Sequence, residues 1–287
     1  MTQSPGAAAA ESLRARLLHD APRDLPGYGW RSHGPVVLAL LGAIALYAFG
    51  MVQLEIEPSK VINGMHRLAD IIGLMWPPTP ETWTRFLIYL DALGQTLAIA
   101  FLGTITAALF AFPLGFLAAR NIVANRIVHF LARRSLDTVR SVDTLIWALI
   151  WINVVGLGPF AGALAIASAD VCALAKLMSE AIETADHRPV QGVMAAGGSR
   201  AEAIRFGIIP QILPVFASQI LYYIESNTRS ATIIGIVGAG GIGLHLSEQI
   251  RVLEWQQAAF LILMVLVTVA IIDAISRVLR QRLIGRR

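Results

Sequence analysis

The chain has 287 residues, 56% of them hydrophobic and 15% charged, with a net charge of +4 and one cysteine, Cys172. A typical soluble domain carries about 25% charged residues, so a water-soluble globular enzyme and a disordered chain are both excluded. A lone cysteine leaves no disulfide framework and no cysteine-based metal cluster. The basic residues punctuate apolar runs instead of forming one face, which points to orientation in a membrane and away from nucleic acid.

Taken in chain order, residues 1–33 hold Arg14, Arg16, Arg23 and Arg31 and a short amphipathic stretch from Glu11 to Leu18. They read as a cytoplasmic N-terminal segment. Stretches without Asp, Glu, Lys or Arg follow at 32–54, 92–119, 144–169, 206–224, 230–247 and 255–272. A hydrocarbon core about 30 Å thick needs about 20 such residues in helix. Residues 34–56 are a plain first transmembrane helix and not a cleaved signal peptide: a long arginine-bearing segment precedes them and no small-residue cleavage site follows. Residues 57–91 form an external segment with an amphipathic helix at 60–75, ended by Trp76-Pro77-Pro78 because proline cannot continue a helix. Residues 92–287 form the transmembrane domain.

Charge then sets the crossings. Basic residues cluster at 1–33, at 120–134 (Arg120, Arg126, Arg133, Arg134), at 185–209 (Arg188, Arg200, Arg205) and in five arginines at 277–287. Residues 57–91 and 238–254 hold only Lys60, Arg67, Arg85 and Arg251. The positive-inside rule puts the four clusters in the cytoplasm. Between two cytoplasmic loops the number of crossings is even, so 139–184 crosses twice with the Gly156-Leu-Gly-Pro159 turn outside. By the same parity 210–276 crosses twice, and the glycine-rich run 230–247 is the broken outer end of the fifth span plus a re-entrant or loop segment. The expected product is an all-α membrane protein of about six helices with both termini cytoplasmic. Small residues recur every fourth position at Gly103, Ala107, Ala111, Gly115 and Ala119, and at Ala161, Ala165, Ala169 and Ala173. Such stripes let helix backbones approach closely in lipid, either inside one subunit or between two.

The loop after the fourth span runs from Gln191-Gly192 through Gly197 to Gly207-Ile-Ile-Pro210. Two short helices meeting at a glycine make a compact knob, and Pro210 can start the next span because its missing amide hydrogen costs nothing there. This stretch resembles the coupling loop of ABC importer permeases: Glu-Ala-Ala, three residues, Gly, nine residues, Ile-x-Leu-Pro. Gly197 and Pro210 fall at the motif spacing. Gln191 replaces the motif glutamate, Gly192 and Val193 the alanines, and Gly207 the isoleucine. Further along, Glu225-Ser-Asn227-Thr-Arg229-Ser-Ala-Thr232 and Gly238-Ala-Gly240-Gly241-Ile-Gly243 resemble the phosphonate-type subgroup of those permeases. So do Pro113-Leu-Gly, Ala118-Ala-Arg-Asn121, Arg140-Ser, Trp147-Ala-Leu-Ile and Gly156-Leu-Gly-Pro-Phe-Ala-Gly162.

The resemblance implies a type I ABC importer permease fold in the bacterial plasma membrane, with coupling at 187–209. It implies a homodimer, two ABC ATPase subunits inside that bind the ATP and Mg, and an external solute-binding protein. No cofactor or metal is expected in the chain itself. No G-x-x-x-x-G-K-[ST] occurs, so ATP hydrolysis falls to the partner. The expected solute is phosphonate or a related phosphorus oxyanion; phosphate, phosphite or an amino acid are the alternatives. Charged and polar residues within a span usually face a cavity or a partner. Glu225 and Arg229, one turn apart, either pair to hold the bundle or line the solute path with Asn227 and Thr232. Asp143, Asn153, Asp170 and Lys176 are further polar residues of spans three and four. The six histidines show no metal-ligand spacing. Gly238-Ala-Gly240-Gly241-Ile-Gly243 also fits the dinucleotide fingerprint, but that needs a βαβ unit and an acidic residue about 20 positions on. A membrane-embedded enzyme would need converging catalytic groups, and no Ser/His/Asp, H-E-x-x-H or metal cluster is legible.

Overall fold

The computed structural model describes residues 30–284 other than 56 and 124. The amphipathic stretch at 11–18 and most of the basic N-terminal segment lie outside the described residues. By internal contacts the chain divides into two units, Met1–Leu68 and Ala69–Arg287. All described regular structure is helical.

In the first unit, α1 spans Trp30–Gln53. Its span Gly34–Gln53 buries no side chain, which suits a lipid-facing helix. The amphipathic helix expected at 60–75 is α2, Pro58–Leu74, which straddles the division.

The first helix wholly within the second unit is α3, Trp83–Ala118, 36 residues long and about 54 Å at 1.5 Å per residue. It starts nine positions before the charge-free stretch because its charges are satisfied. The Arg85 guanidinium pairs with Glu81 at 2.9 Å and donates to Gln257 Oε1 at 2.6 Å. The Tyr89 hydroxyl donates to the same oxygen at 2.7 Å. Helix α4 is Arg126–Arg140, α5 is Thr144–Val155 and α6 is Pro159–Glu183. Helices α4 and α5 are bent by 86°, with the Asp143 carboxylate capping α5 through the Leu145 N–H at 2.8 Å. The third crossing therefore departs from expectation. The 12-residue α5 reaches only about 18 Å, and the basic α4 turns aside from it.

Beyond α6 come α7, His187–Ala195, and the single turn α8, Arg200–Glu202. The chain continues through π-helical Ala203–Ile208 into α9, Ile209–Ile234. A π-helical turn at Gly235–Ala239 breaks at Gly238, followed by α10, Ile242–Arg251, and α11, Trp255–Ile284. Among the described residues, five helices are long and apolar enough to cross a membrane, or six if α4–α5 counts as one span.

The core has three layers down α3. Tyr89, Ala92, Ile242 and Leu261 join α3 to α10 and α11. Ile99, Ala148, Ile166 and Ile234 join it to α5, α6 and α9. Ala107, Ala111, Met178 and Phe216 fill the layer near the end that carries α7. The small-residue stripes serve this packing within the subunit. A Cβ on Gly103 would stand 2.7 Å from Ile166 Cβ, and one on Gly115 would stand 2.8 Å from Met178 Cγ. Ala161, Ala165 and Ala173 are buried on the facing helix, and Ala169 is half-buried.

Candidate functional site: the knob and the polar interior of the fifth span

The knob is built by local rules. The Asp186 side chain caps α7 through the Arg188 N–H at 3.0 Å. Helix α7 stops at Ala195, and Gly197, at φ +86°, reverses the chain. That backbone region is strained for any residue with a Cβ. Ser199 then caps α8 in a capping box: the Ser199 N–H donates to the Glu202 carboxylate at 2.7 Å, and the Glu202 N–H donates to Ser199 Oγ at 3.3 Å. Helix α7 folds back onto the π-turn at Gly207, where a Cβ would stand 2.9 Å from Val190 Cγ2 and 3.0 Å from Val190 Cα and N. The departure of Gly207 from the family motif thus has a steric reason: α7 rests on the π-turn.

Gln211 locks the base of the knob. Its Nε2 donates to the carbonyls of Asp186 at 3.0 Å and Gly207 at 2.6 Å, and its Oε1 accepts from the Asp186 N–H at 3.0 Å. Of the expected coupling residues, Gln191, Gly192, Gly197 and Pro210 are exposed and Gly207 is buried. Pro210 stands in the first turn of α9. Met194 and Phe206 expose 46% and 59% of their surface, an apolar presentation that suits docking more than solvation.

The four expected path residues separate. Asn227 is buried at the meeting of α3, α6 and α9, where its Nδ2 donates to Thr104 Oγ1 at 2.8 Å and to the Asp170 carboxylate. Thr232 is buried with its hydroxyl donating to the Thr228 carbonyl at 3.2 Å. Glu225 is buried and Arg229 is not: its side chain is 48% exposed. The expected Glu225–Arg229 pair is present at 3.5 Å, but Arg280 of α11 reaches the same carboxylate at 3.0 Å. The carboxylate is thus held from α11, and Arg229 is left facing outward with cationic capacity to spare. The other polar residues of spans three and four are each paired or hydrogen-bonded. Lys176 pairs with Asp137, and Asn153 Nδ2 donates to the Leu149 carbonyl at 2.8 Å.

The glycine-rich segment is packed against two elements. The Ile242 N–H donates to Thr96 Oγ1 of α3 at 2.8 Å, and the Gly158 N–H donates to the Gly238 carbonyl at 3.1 Å. Gly241, at φ +73°, lies so close to Thr96 that a side chain there has no room. Gly240 lies against Pro159, and Gly243 against the Thr232 carbonyl. This is a helix break fixed to α3 and to the α5–α6 turn. The run before it is helical, so no strand of a dinucleotide fold precedes the glycines. Among the described residues no group of three His, Cys, Asp or Glu could hold a metal.

Gln211, Arg280, Thr104 and Asp186 escaped sequence reasoning. Gln211 and Asp186 are 25 positions apart, Asn227 and Thr104 123, and Arg280 and Glu225 55, and no motif joins them.

A family model described as "Binding-protein-dependent transport system inner membrane component" matches residues 111–285. HtxC of Stutzerimonas stutzeri, whose name assigns it to a phosphite transport system, is 39% identical over 252 residues, covering 88% of this chain and 86% of that protein. The phosphite transport system permease protein PtxC of the same organism is 35% identical over 263 residues, covering 90% and 92%. The MetNI methionine ABC transporter in an inward-facing conformation matches with a TM-score of 0.62 at 16% identity, over 70% of this chain and 99% of that one. The last likeness is one of fold.

Proposed function

The chain belongs to the family of binding-protein-dependent transport system inner membrane components, a multi-pass permease of the plasma membrane with the type I ABC importer fold, and on that premise we propose that it moves phosphonate or a related phosphorus oxyanion, phosphite among them, into the cell. The observation that carries the solute class is Arg229. It is a half-exposed guanidinium within an apolar span, beside a carboxylate already held by Arg280. An arginine within a span is costly unless it meets a partner or a path, and its forked donors match phosphorus oxyanion geometry. The names of the phosphite-system relatives point the same way.

In this reading two copies of the chain form a homodimer with two Arg229 side chains about one path. The 187–209 knob, both termini and the basic clusters are cytoplasmic. Two ATPase subunits take the knob in their clefts and supply ATP and Mg. An external solute-binding protein delivers the solute. ATP binding and the loaded binding protein act only through affinities that differ between the inward and outward states. The knob suits this role because its two helices, its turn and Gln211 make one rigid body. Weak binding in the path is expected, so selectivity resides mainly in the binding protein.

Growth tests the proposal. Cells lacking only this chain lose growth on phosphonate or phosphite as sole phosphorus source and regain it with the wild-type chain. Loss of growth on an amino acid instead, with phosphorus nutrition intact, contradicts the solute. For sidedness, single cysteines replacing Gly64 and Gly192 in a Cys172-free background should label from opposite faces. Gly192 is chosen because nothing lies within 4 Å of a Cβ there.

A further inference from the structure

We infer that the pocket at the start of α4 is a binding site for the phosphodiester headgroup of an anionic glycerophospholipid. The pocket has a volume of about 530 Å³ and is lined by Arg120, Arg126, His129, Phe130, Arg133 and Glu183, with Val123 at its edge. Three arginines face one carboxylate, and that carboxylate is already occupied. Glu183 accepts from the Arg133 guanidinium at 3.1 Å and from the Arg120 backbone N–H at 2.9 Å. Among the described residues, neither the Arg120 nor the Arg126 side chain has a carboxylate within ion-pair distance. His129 Nε2 is buried without a hydrogen-bond partner, 3.9 Å from Glu183. The pocket is short of negative charge by construction.

The surface beside it decides which anion. On the first turns of α4, Ile127 is 69% exposed, Phe130 58% and Leu131 57%. Arg134 lies over the Phe130 ring at 5.6 Å. Because α4 is bent by 86° from α5, it turns away from the crossing direction and toward the membrane plane. A helix with an apolar strip beside arginines is the form that sits at the acyl–headgroup boundary. A basic pocket at that depth recognises anionic headgroups, each nearby arginine contributing about 1 kcal/mol. Free phosphate would satisfy the arginines and leave the strip in water. A zwitterionic lipid would set its ammonium against three guanidinium groups. The inference rests on the membrane placement of the chain and not on the identity of the solute.

The test uses the full chain purified with its ATPase subunits and stripped of lipid. Native mass spectrometry reads retained phosphatidylglycerol against phosphatidylcholine, and a thermal melt reads stabilisation by each lipid and by inorganic phosphate. Phosphatidylglycerol should be retained in at least tenfold preference and should raise the melting temperature. The Arg120→Gln/Arg126→Gln variant should bind it about 25-fold more weakly, two charges at about fivefold each. Arg282→Gln, a basic residue away from the pocket, should bind as wild type. Co-purified ATPase and an unchanged lipid-free melt show that the variant is folded; the lipid preference of the wild type stands as evidence without it. Equal retention of phosphatidylcholine, equal stabilisation by inorganic phosphate, or an equal loss with Arg282→Gln would each overturn the inference. Loss of solute uptake with lipid preference intact concerns the transport reading alone.

Discussion

Adding one methyl group at Gly207 is the sharpest test of how the knob works. A Cβ there would stand 3.0 Å from the Cα and N of Val190, whereas carbon contacts are comfortable at about 3.5–4.0 Å. Those two atoms are backbone, so no rotamer change relieves the clash, and α7 must lift from the π-turn by about 0.5–1 Å. Overpacking of this kind costs about 1–3 kcal/mol, a shift of about 5–150-fold against the docked position of α7. The Gln211 bonds to Asp186 and Gly207 would have to stretch with it. Gly207→Ala should therefore reach the membrane and co-purify with the ATPase, yet transport less solute per ATP hydrolysed, by fivefold or more. The control is Gly192→Ala on the exposed side of α7, where nothing lies within 4 Å of a Cβ and where the coupling-loop motif itself carries alanine; it should couple as wild type. The assay is ATP hydrolysis and solute uptake measured together in proteoliposomes. Normal coupling in Gly207→Ala, or equal damage in both variants, refutes the rigid-knob reasoning.

Other outcomes follow from the same geometry. Arg280→Ala releases Glu225 to pair fully with Arg229, so uptake should fall while assembly persists; unchanged uptake argues against the holding role of Arg280. Asn227→Ala leaves the buried Asp170 and Thr104 without their shared donor and should destabilise the chain by about 1–3 kcal/mol, visible as a lower melting temperature in detergent. Gly103→Ala forces Ile166 aside at a 2.7 Å contact and should reduce the amount of folded protein, whereas Gly94→Ala, with open space around it, should not.

What was legible in the sequence obeyed local rules. The break at Gly197 needs only the residues beside it, so a knob of two short helices can be read from 191–210. The stripes at Gly103–Ala119 and Ala161–Ala173 announce a close helix pair because only small side chains allow it, and α3 and α6 form that pair. The glycine run at 238–243 was legible as a break, though not as a joint fixed by Thr96. Length was misjudged in two places. Counting charge-free residues started the second span at 92, because it cannot see that Glu81 and Gln257 satisfy Arg85. Parity made the stretch before the Gly156–Pro159 turn a crossing of its own, because it cannot see an 86° bend. Asn227 is legible as a polar residue of the fifth span, but its bonds to Asp170 and Thr104 are not. Arg280 looked like an orienting charge of the C-terminal cluster, whereas it holds Glu225. In each case the deciding partner is on another helix.

The central claim is that this permease carries a phosphorus oxyanion past Arg229, and reconstituted uptake tests it most directly. Proteoliposomes holding the permease, its ATPase subunits and its binding protein would be given ATP and labelled phosphonate or phosphite, with an unlabelled amino acid as competitor. The account predicts ATP-dependent accumulation of the phosphorus oxyanion that the amino acid does not reduce. It predicts that Arg229→Ala abolishes accumulation in a complex that still assembles, and that Arg229→Lys impairs it less. Undiminished uptake with Arg229→Ala removes Arg229 from the path, and accumulation of the amino acid with none of the phosphorus oxyanion contradicts the account.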